Sequence, residues 1–336
     1  MPFDQVLQRY GIKEGWQLIQ GQSGWNNTTR FVETGGQRWV LRIYETHRDA
    51  DKIRFEHEIL LALNELELPF RIPLPARCDD GSTLVQLTDG SQRWACLFTY
   101  IKGHRPEEND TSIVKSIGRA TGQLSNALGQ LKLKSKPIYP AYYEMDSAHP
   151  LCAPEKVASF CSIPPSEFHG EAGELQVIGE AIESFRAQLP QFRELPHQLI
   201  HGDINHSNLL ISDDDTGSGI AAVLDFEFCT HDLRVMELAV IMSGLLSSEQ
   251  AMDSIEAFLS GAGEQLQLER REVEVIPLLV ELRILDVFLH FLGRYLDGVD
   301  GDSVLREQTL SAYDGLKQLN KLKDGLLKLS FRHLTT

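Results

Sequence analysis

Apolar and polar positions alternate through much of the first hundred residues and recur at helical spacing afterwards. Trp16–Gly21 and Thr28–Thr34 read as strands, and Gly35-Gly36 is a hairpin turn leading into a third strand, Arg38–Glu45. Over Asp51–Leu68 the apolar residues Ile53, Ile59, Leu60, Leu63 and Leu66 fall on one helical face. Pro69, Pro73 and Pro75 stop that helix, and Ser82–Leu87 and Arg93–Gly103 supply two more strands. From Asn109 onward the spacing predicts helices over Thr111–Leu131, Glu171–Phe192, Val235–Leu246, Ser248–Leu259 and Pro277–Leu296. The change of period near Gly103 predicts two domains, residues 1–103 and 104–336. No internal repeat is visible.

The segment His201–Phe228, HGDINHSNLLISDDDTGSGIAAVLDFEF, carries the chemistry. Leu209–Ile211 and Ile220–Leu224 read as strands joined by a polar turn over Asp213–Gly219. Folding that hairpin brings Asn208 beside Asp225, as two oxygen ligands of one hard cation must be. Asp203 lies five positions before Asn208, in the spacing H-x-D-x-x-x-x-N followed by D-F. Phosphoryl transfer needs this set, with a carboxylate to orient the attacking hydroxyl, and an amide and a carboxylate to hold Mg²⁺ on the phosphates.

These residues resemble the aminoglycoside phosphotransferase and choline kinase superfamily. HGDINHSN matches the small-molecule version of the motif, in which Gly follows the His. The resemblance implies an α+β, protein-kinase-like two-lobed fold, with a small antiparallel β-sheet lobe carrying one helix and a larger, mainly helical lobe. It also implies ATP and Mg²⁺ as cofactors, Asp203 as the catalytic residue, and Asn208 and Asp225 as metal ligands. In the small lobe, Gly21–Thr29 resembles the nucleotide loop and puts Ser23 and Gly24 near the phosphates. Arg42 stands where the family's third strand usually offers Lys, with Glu56 as its helix partner and Glu58 as runner-up. Leu97–Gly103 resembles the inter-lobe linker, where the Thr99 carbonyl and the Ile101 N–H would read the adenine edge. His201 braces the loop by this reading. Asp232 and Glu237 match an imperfect version of the family's D-P-R-x-x-D-L-A segment, with Leu233 and Glu237 as departures.

Glu227 follows Asp225 on the same strand and either assists a second metal, meets an acceptor amine or is solvated. The stripe Ile284, Phe288, Phe291 and Tyr295, with Asp286 nearby, is either core packing or an aromatic wall for a substituted ammonium. Chain length and the LRIY strand also resemble the type II homoserine kinases. The acceptor expected is a small, amine-bearing molecule with a hydroxyl group, of the homoserine, choline or ethanolamine kind. The rival reading is a kinase-fold protein that binds nucleotide or a partner with little or no turnover, which Arg42 in place of Lys favours. A protein kinase is disfavoured, because no APE-like segment follows Asp225.

Composition sharpens this. The net charge of −16 is concentrated in the second part: residues 1–103 hold 12 Lys and Arg against 13 Asp and Glu, whereas residues 104–336 hold 20 against 35. Such an acidic part argues against a nucleic-acid partner and would steer a cationic or zwitterionic acceptor inward. No apolar run reaches membrane-spanning length, and the charged start lacks the core of a secretory signal, so no membrane association is expected. The five cysteines form no CxxC pair and point to free thiols in a cytoplasmic protein.

Overall fold

A computed structural model of the chain describes residues 2–21, 27–45, 49–107, 112–212 and 219–335. The first elements are α1 (Pro2–Arg9), β1 (Trp16–Gln20), β2 (Asn27–Thr34), β3 (Gln37–Tyr44), α2 (Ala50–Leu63), β4 (Val85–Gln86) and β5 (Trp94–Thr99). Then come α3 (Val114–Gln130), α4 (Met145–Ala148), α5 (Pro154–Ser162) and α6 (Ala172–Arg186). The strands β6 (His197–Ile200), β7 (Leu209–Ile211), β8 (Ile220–Val223) and β9 (Thr230–Leu233) follow. Helices α7 (Met236–Leu245), α8 (Ala251–Gly263), α9 (Arg270–Glu274), α10 (Ile276–Leu296) and α11 (Asp302–Leu334) complete the chain.

The chain divides into two compact units. One comprises residues 1–106, 130–138 and 207–229, and the other comprises 107–129, 139–206 and 230–336. A single cut near Gly103 differs from this division in two stretches, residues 130–138 and 207–229, and the second carries the hairpin β7–β8, which is tied by backbone to the first unit. His104 exchanges hydrogen bonds with Ile211, and Arg71 pairs with Ala222. Ile101, Leu210 and Ala222 close a small apolar cluster behind that hairpin.

In the first unit, an antiparallel sheet of order β1-β2-β3-β5-β4 supports α2. Its inward residues Val32, Leu41, Ile43, Ala95 and Leu97 pack with Val6 and Leu7 of α1, an element the alternation did not predict. The Asp49 side chain caps α2 by accepting from Asp51 N–H at 2.9 Å. The helix stops at Leu63, not Leu68, with Asn64 as its C-cap.

The second unit is mainly helical. Helix α6 ends at Arg186, and Leu189–Glu194, with Pro190 in its first turn, forms a separate 3₁₀ segment. Helix α8 runs through Gly261, beyond the predicted end at Leu259, because glycine there permits contact with α3. A Cβ on Gly261 would lie 2.0 Å from the Lys115 carbonyl oxygen, so two helix backbones meet directly.

Strands β6 and β9 pair antiparallel and deliver the loop after Ile200. That loop is held from α7. Glu237, fully buried, accepts from His201 N–H at 2.6 Å and Gly202 N–H at 3.2 Å. Gly202 has φ +79°, a conformation that lets the backbone turn both its N–H toward Glu237 and its carbonyl toward Tyr142. Burial pushes the Glu237 carboxyl up to about 7, against the two N–H donors that favour its charge. Asp232 accepts from Tyr142 N–H and Leu233 N–H, both at 2.6 Å, and burial likewise pushes it up to about 7.

Two outcomes are expected. Gly261→Val should destabilise the protein by about 3 kcal/mol through forced separation of α3 and α8, read as a fall of several degrees in thermal midpoint. The raised Glu237 pKa means the folded state binds the proton more tightly than the unfolded chain. Its contribution is therefore complete below the usual carboxylate value and is lost as pH rises through about 7. The native midpoint should fall relative to that of Glu237→Gln as pH is raised through this window. Parallel curves would contradict the assignment.

Candidate active site

The first unit assembles a buried charge cluster on adjacent strands and a helix. Arg42 lies in β3, where pairing with Cys96 of β5 fixes its position in the middle of the sheet. Its Nη1 donates to Glu56 Oε1 at 3.1 Å and to Asp225 Oδ1 at 3.1 Å. Phe98 lies under the guanidinium, with the ring centroid 5.3 Å from Cζ. Burial opposes the charge on Arg42, but Asp225 and then Glu56 outweigh it and hold the pKa well above the usual value. Glu56 is 2% exposed and takes a second hydrogen bond from Tyr44 OH at 2.9 Å. Burial raises Glu56 to about 7 despite Arg42, with Asp225 adding to the rise. Glu58, the alternative partner, faces elsewhere and accepts from the backbone N–H groups of Lys134 and Ser135.

The hairpin β7–β8 brings two further predicted residues together. Leu224 N–H donates to the Asn208 carbonyl at 2.8 Å, which sets Asn208 beside the residue before Asp225. Asp225 has φ +65°, a left-handed conformation that L residues other than Asn and Asp seldom hold. This kink ends the strand and turns the carboxylate to Arg42. Glu227 is 8% exposed and accepts from Asn27 Nδ2 at 2.7 Å, so it is not a solvated surface acid. Asn27 Oδ1 is buried without a hydrogen-bond partner among the described residues.

This donor set fits Mg²⁺. It offers oxygen only, from an amide and a carboxylate, with the orphaned Asn27 oxygen also on the same unit. Among the described residues no three His, Cys, Asp or Glu side chains cluster to hold a metal. A softer ion would want nitrogen or sulfur ligands and a closed shell, whereas Mg²⁺ keeps waters and phosphate oxygens as ligands and needs few from protein.

Thr99 ends β5. Its N–H donates to Leu74 O at 2.9 Å, and Leu74 N–H returns to the Thr99 hydroxyl at 3.0 Å, where a regular ladder would use the carbonyl. Ile101 is 7% exposed and sits in the cluster behind the hairpin. Ser23 and Gly24 lie outside the described residues.

The second unit holds Asp203. His201 is fully buried, and its Nδ1 accepts from Asp203 N–H at 3.2 Å, which gives it the bracing position expected. Asn205 Nδ2 caps the Asp203 carbonyl at 3.1 Å. The Asp203 carboxylate meets a residue that the sequence reading passed over: Arg283 of α10, whose Nη2 donates to Oδ1 at 2.9 Å. Arg283 Nη1 also donates to Asp286 Oδ2 at 3.1 Å and to Tyr142 OH at 3.3 Å. His149 Nε2 lies 2.7 Å from Asp286 Oδ1.

A signal for these residues exists. In the apolar helix α10, Arg283, Asp286, His290 and Arg294 recur three and four apart, forming a polar stripe on an element that should be apolar all round. Of the aromatic stripe on the same helix, Ile284 and Phe288 are core. Phe288 is fully buried, Ile284 is 9% exposed, and Tyr295 packs edge-on against Phe168 with its hydroxyl on Glu167. Both Asp286 oxygens are engaged, so the proposed ammonium wall loses its carboxylate.

Residues 17–274 match the sequence model of the phosphotransferase enzyme family (APH). The homoserine kinase of Sinorhizobium medicae (strain WSM419) is 23% identical over 303 residues, covering 89% of this chain and 84% of that protein. A microcompartment-associated aminopropanol kinase superposes with a TM-score of 0.74 at 17% identity, covering 97% of this chain and 98% of that one. Amicoumacin kinase hAmiN, solved with AMP-PNP, Ca²⁺ and Ami, superposes with a TM-score of 0.66 at 16% identity, with 93% of each chain covered. These neighbours show the fold to be protein-kinase-like, with a small antiparallel sheet portion and a larger helical one. The family match spans most of the chain, which therefore belongs to the APH phosphotransferase family and is a small-molecule kinase with a hydroxyl acceptor.

Proposed function

We propose that this kinase uses ATP and Mg²⁺ to phosphorylate the hydroxyl of a small, amine-bearing metabolite of the homoserine, aminopropanol or ethanolamine kind. The observation that carries this reading is the Asn208–Asp225 hairpin, with its left-handed Asp225 drawn to Arg42. An Asp in this left-handed turn, next in the chain to a residue bonded to Asn208, is placed as one of two oxygen ligands of a hard cation would be. The matched family, the homoserine kinase relatives and a neighbour solved with AMP-PNP and a divalent cation support the same choice.

In this reading Asn208 and Asp225 hold Mg²⁺, which when bound neutralises phosphate charge and aligns the γ-phosphoryl group. Arg42 grips the phosphates from β3, and Glu56, braced by Tyr44, fixes its guanidinium plane. One nitrogen, Nη1, serves both carboxylates, and Arg differs from Lys here in carrying further N–H donors for the phosphates. Ser23 and Gly24 supply backbone N–H groups to the phosphates. The Thr99 carbonyl and the Ile101 N–H read the adenine edge, and the Thr99 hydroxyl's capture of Leu74 N–H fits a carbonyl reserved for that task. Asp203 orients the acceptor hydroxyl. As the new O–P bond forms and the bond from the γ-phosphorus to the bridging oxygen breaks, Asp203 takes the hydroxyl proton and ADP leaves.

The curated relatives favour an acceptor with an amino group near the hydroxyl, and the acidic balance of residues 104–336 favours the same charge. We place the enzyme in the cytoplasm, since all five cysteines are buried thiols outside any disulfide. Among the described residues, no helix is long and apolar enough to cross a membrane.

ADP release should appear with at least one member of a panel of homoserine, choline, ethanolamine, methylthioribose and aminoglycosides. Asp203→Ala should lower kcat by about 10³-fold or more while Mg-ATP still raises the thermal midpoint. Near-normal turnover in that variant would remove Asp203 from its role. Asp225→Asn keeps a side chain tolerant of the left-handed backbone but removes the charge. It should raise the Mg²⁺ concentration for half-maximal rate by about tenfold or more, and an unchanged Mg²⁺ requirement would argue against Asp225 as a ligand.

A further inference from the structure

We propose that Arg283 is a positioning residue for Asp203, the last link of a fixed polar chain His149–Asp286–Arg283–Asp203 that keeps the base ionised and aimed; this rests on the reading of Asp203 as the base. The chain is continuous in hydrogen bonds. His149 Nε2 meets Asp286 Oδ1 at 2.7 Å, Asp286 Oδ2 accepts from Arg283 Nη1 at 3.1 Å, and Arg283 Nη2 reaches Asp203 Oδ1 at 2.9 Å. Tyr142 lies against the guanidinium with its ring centroid 5.6 Å from Cζ. Its hydroxyl accepts from Arg283 and donates to the Gly202 carbonyl at 2.5 Å, the backbone next to Asp203. One arginine is thus fastened both to the carboxylate and to the loop that carries it.

Geometry and charge act together here. Asp286 lies one turn beyond Arg283 on α10, so the helix sets the spacing between carboxylate and guanidinium. A guanidinium so pinned presents its remaining N–H in one direction, and the Asp203 carboxylate plane follows. The contact is made to Oδ1, and it sets the orientation in which the carboxylate meets the acceptor hydroxyl. The positive charge favours the ionised carboxylate against the acids around it. The groups facing this ion pair are Tyr142, Asp232 and Glu237 from the adjoining segments, His149, and Asp286 and His290 of α10. Apart from Arg283 and the histidines, all are acids. Without Arg283, Asp203 would lose the cation that faces it from α10.

Two substitutions with opposite expected signs test the inference. Arg283→Gln removes the charge and the fork: kcat should fall by about 10²-fold, and the acid limb of the kcat–pH profile should move up by about one unit, with KM for ATP unchanged. Asp286→Asn leaves the cation but frees its plane and deletes a neighbouring negative charge. Its kcat should also fall, while its acid limb moves down. Arg283→Lys should return the limb to the native position but recover only part of kcat, because charge is restored without the fork.

Damage to packing alone would lower kcat or thermal midpoint and leave the limbs where they are, so unmoved limbs in Arg283→Gln and Asp286→Asn would overturn the proposal. Asp286→Asn carries the test if Arg283→Gln does not fold. Asp203→Asn separates the two levels. Retained activity there removes the underlying reading, whereas an inactive Asp203→Asn with unmoved limbs in the other variants removes only the role of Arg283.

Discussion

A phosphotransferase of this kind must hold several carboxylates close together in partly buried positions, and like charges there repel and cost solvation. The chain meets that constraint with the same device in each unit: one arginine shared between two acids. Arg42 bridges Glu56 and Asp225, and Arg283 bridges Asp203 and Asp286. Removing either arginine would leave two poorly solvated carboxylates facing each other, a situation that typically costs about 3–5 kcal/mol for a broken buried pair. The surrounding structure follows from holding these two guanidiniums in place. Phe98 and Tyr44 line the first, and Tyr142 lines the second.

Two other buried acids are handled differently, and the contrast is informative. Among the described residues, Glu237 and Asp232 have no arginine or lysine against them and are satisfied by pairs of backbone N–H groups. Both are pushed up to about 7 by burial. A carboxylate that only braces backbone can tolerate partial protonation, since a protonated acid still has an accepting oxygen. In the proposed mechanism Asp203 and Asp225 must stay ionised to take a proton and to hold Mg²⁺, and each has an arginine against it.

Local sequence was enough for the sheet, α2 and the hairpin, because alternation, the Gly35-Gly36 turn and the Asp-to-Asn spacing are short-range signals. Glu56 was separable from Glu58 only by motif, and the structure shows why the two differ: they lie on different faces of α2, one toward Arg42 and the other toward backbone at Lys134. Helix α11 was missed although Leu305, Ala312, Leu319 and Leu326 repeat every seven positions and are all buried. Its polar residues are dense enough to mask that single stripe. Strands β6 and β9 were illegible for another reason. Each is four residues long and pairs with a segment thirty or more positions away, so no window contains both.

Arg283 was the most consequential omission, and it bears on how an acceptor is chosen. The aromatic stripe drew attention because cation–π contact is a familiar way to hold an amine, yet Phe288 is spent on the core and Tyr295 on Phe168 and Glu167. What α10 presents around Asp203 is charged and hydrogen-bonded. Hydrophobic pockets discriminate weakly between acceptors of similar size, whereas a site built from paired polar groups rejects any ligand that cannot replace the bonds it displaces. Both oxygens of Asp286 are already committed to His149 and Arg283. An acceptor amine that drew Asp286 away would loosen the arginine behind Asp203, the proposed base, so binding the amine through Asp286 and aiming Asp203 are competing uses of the same carboxylate. Recognition of the acceptor's amine through other groups avoids that conflict, and the unbroken chain from His149 to Asp203 is the arrangement such a division of labour requires.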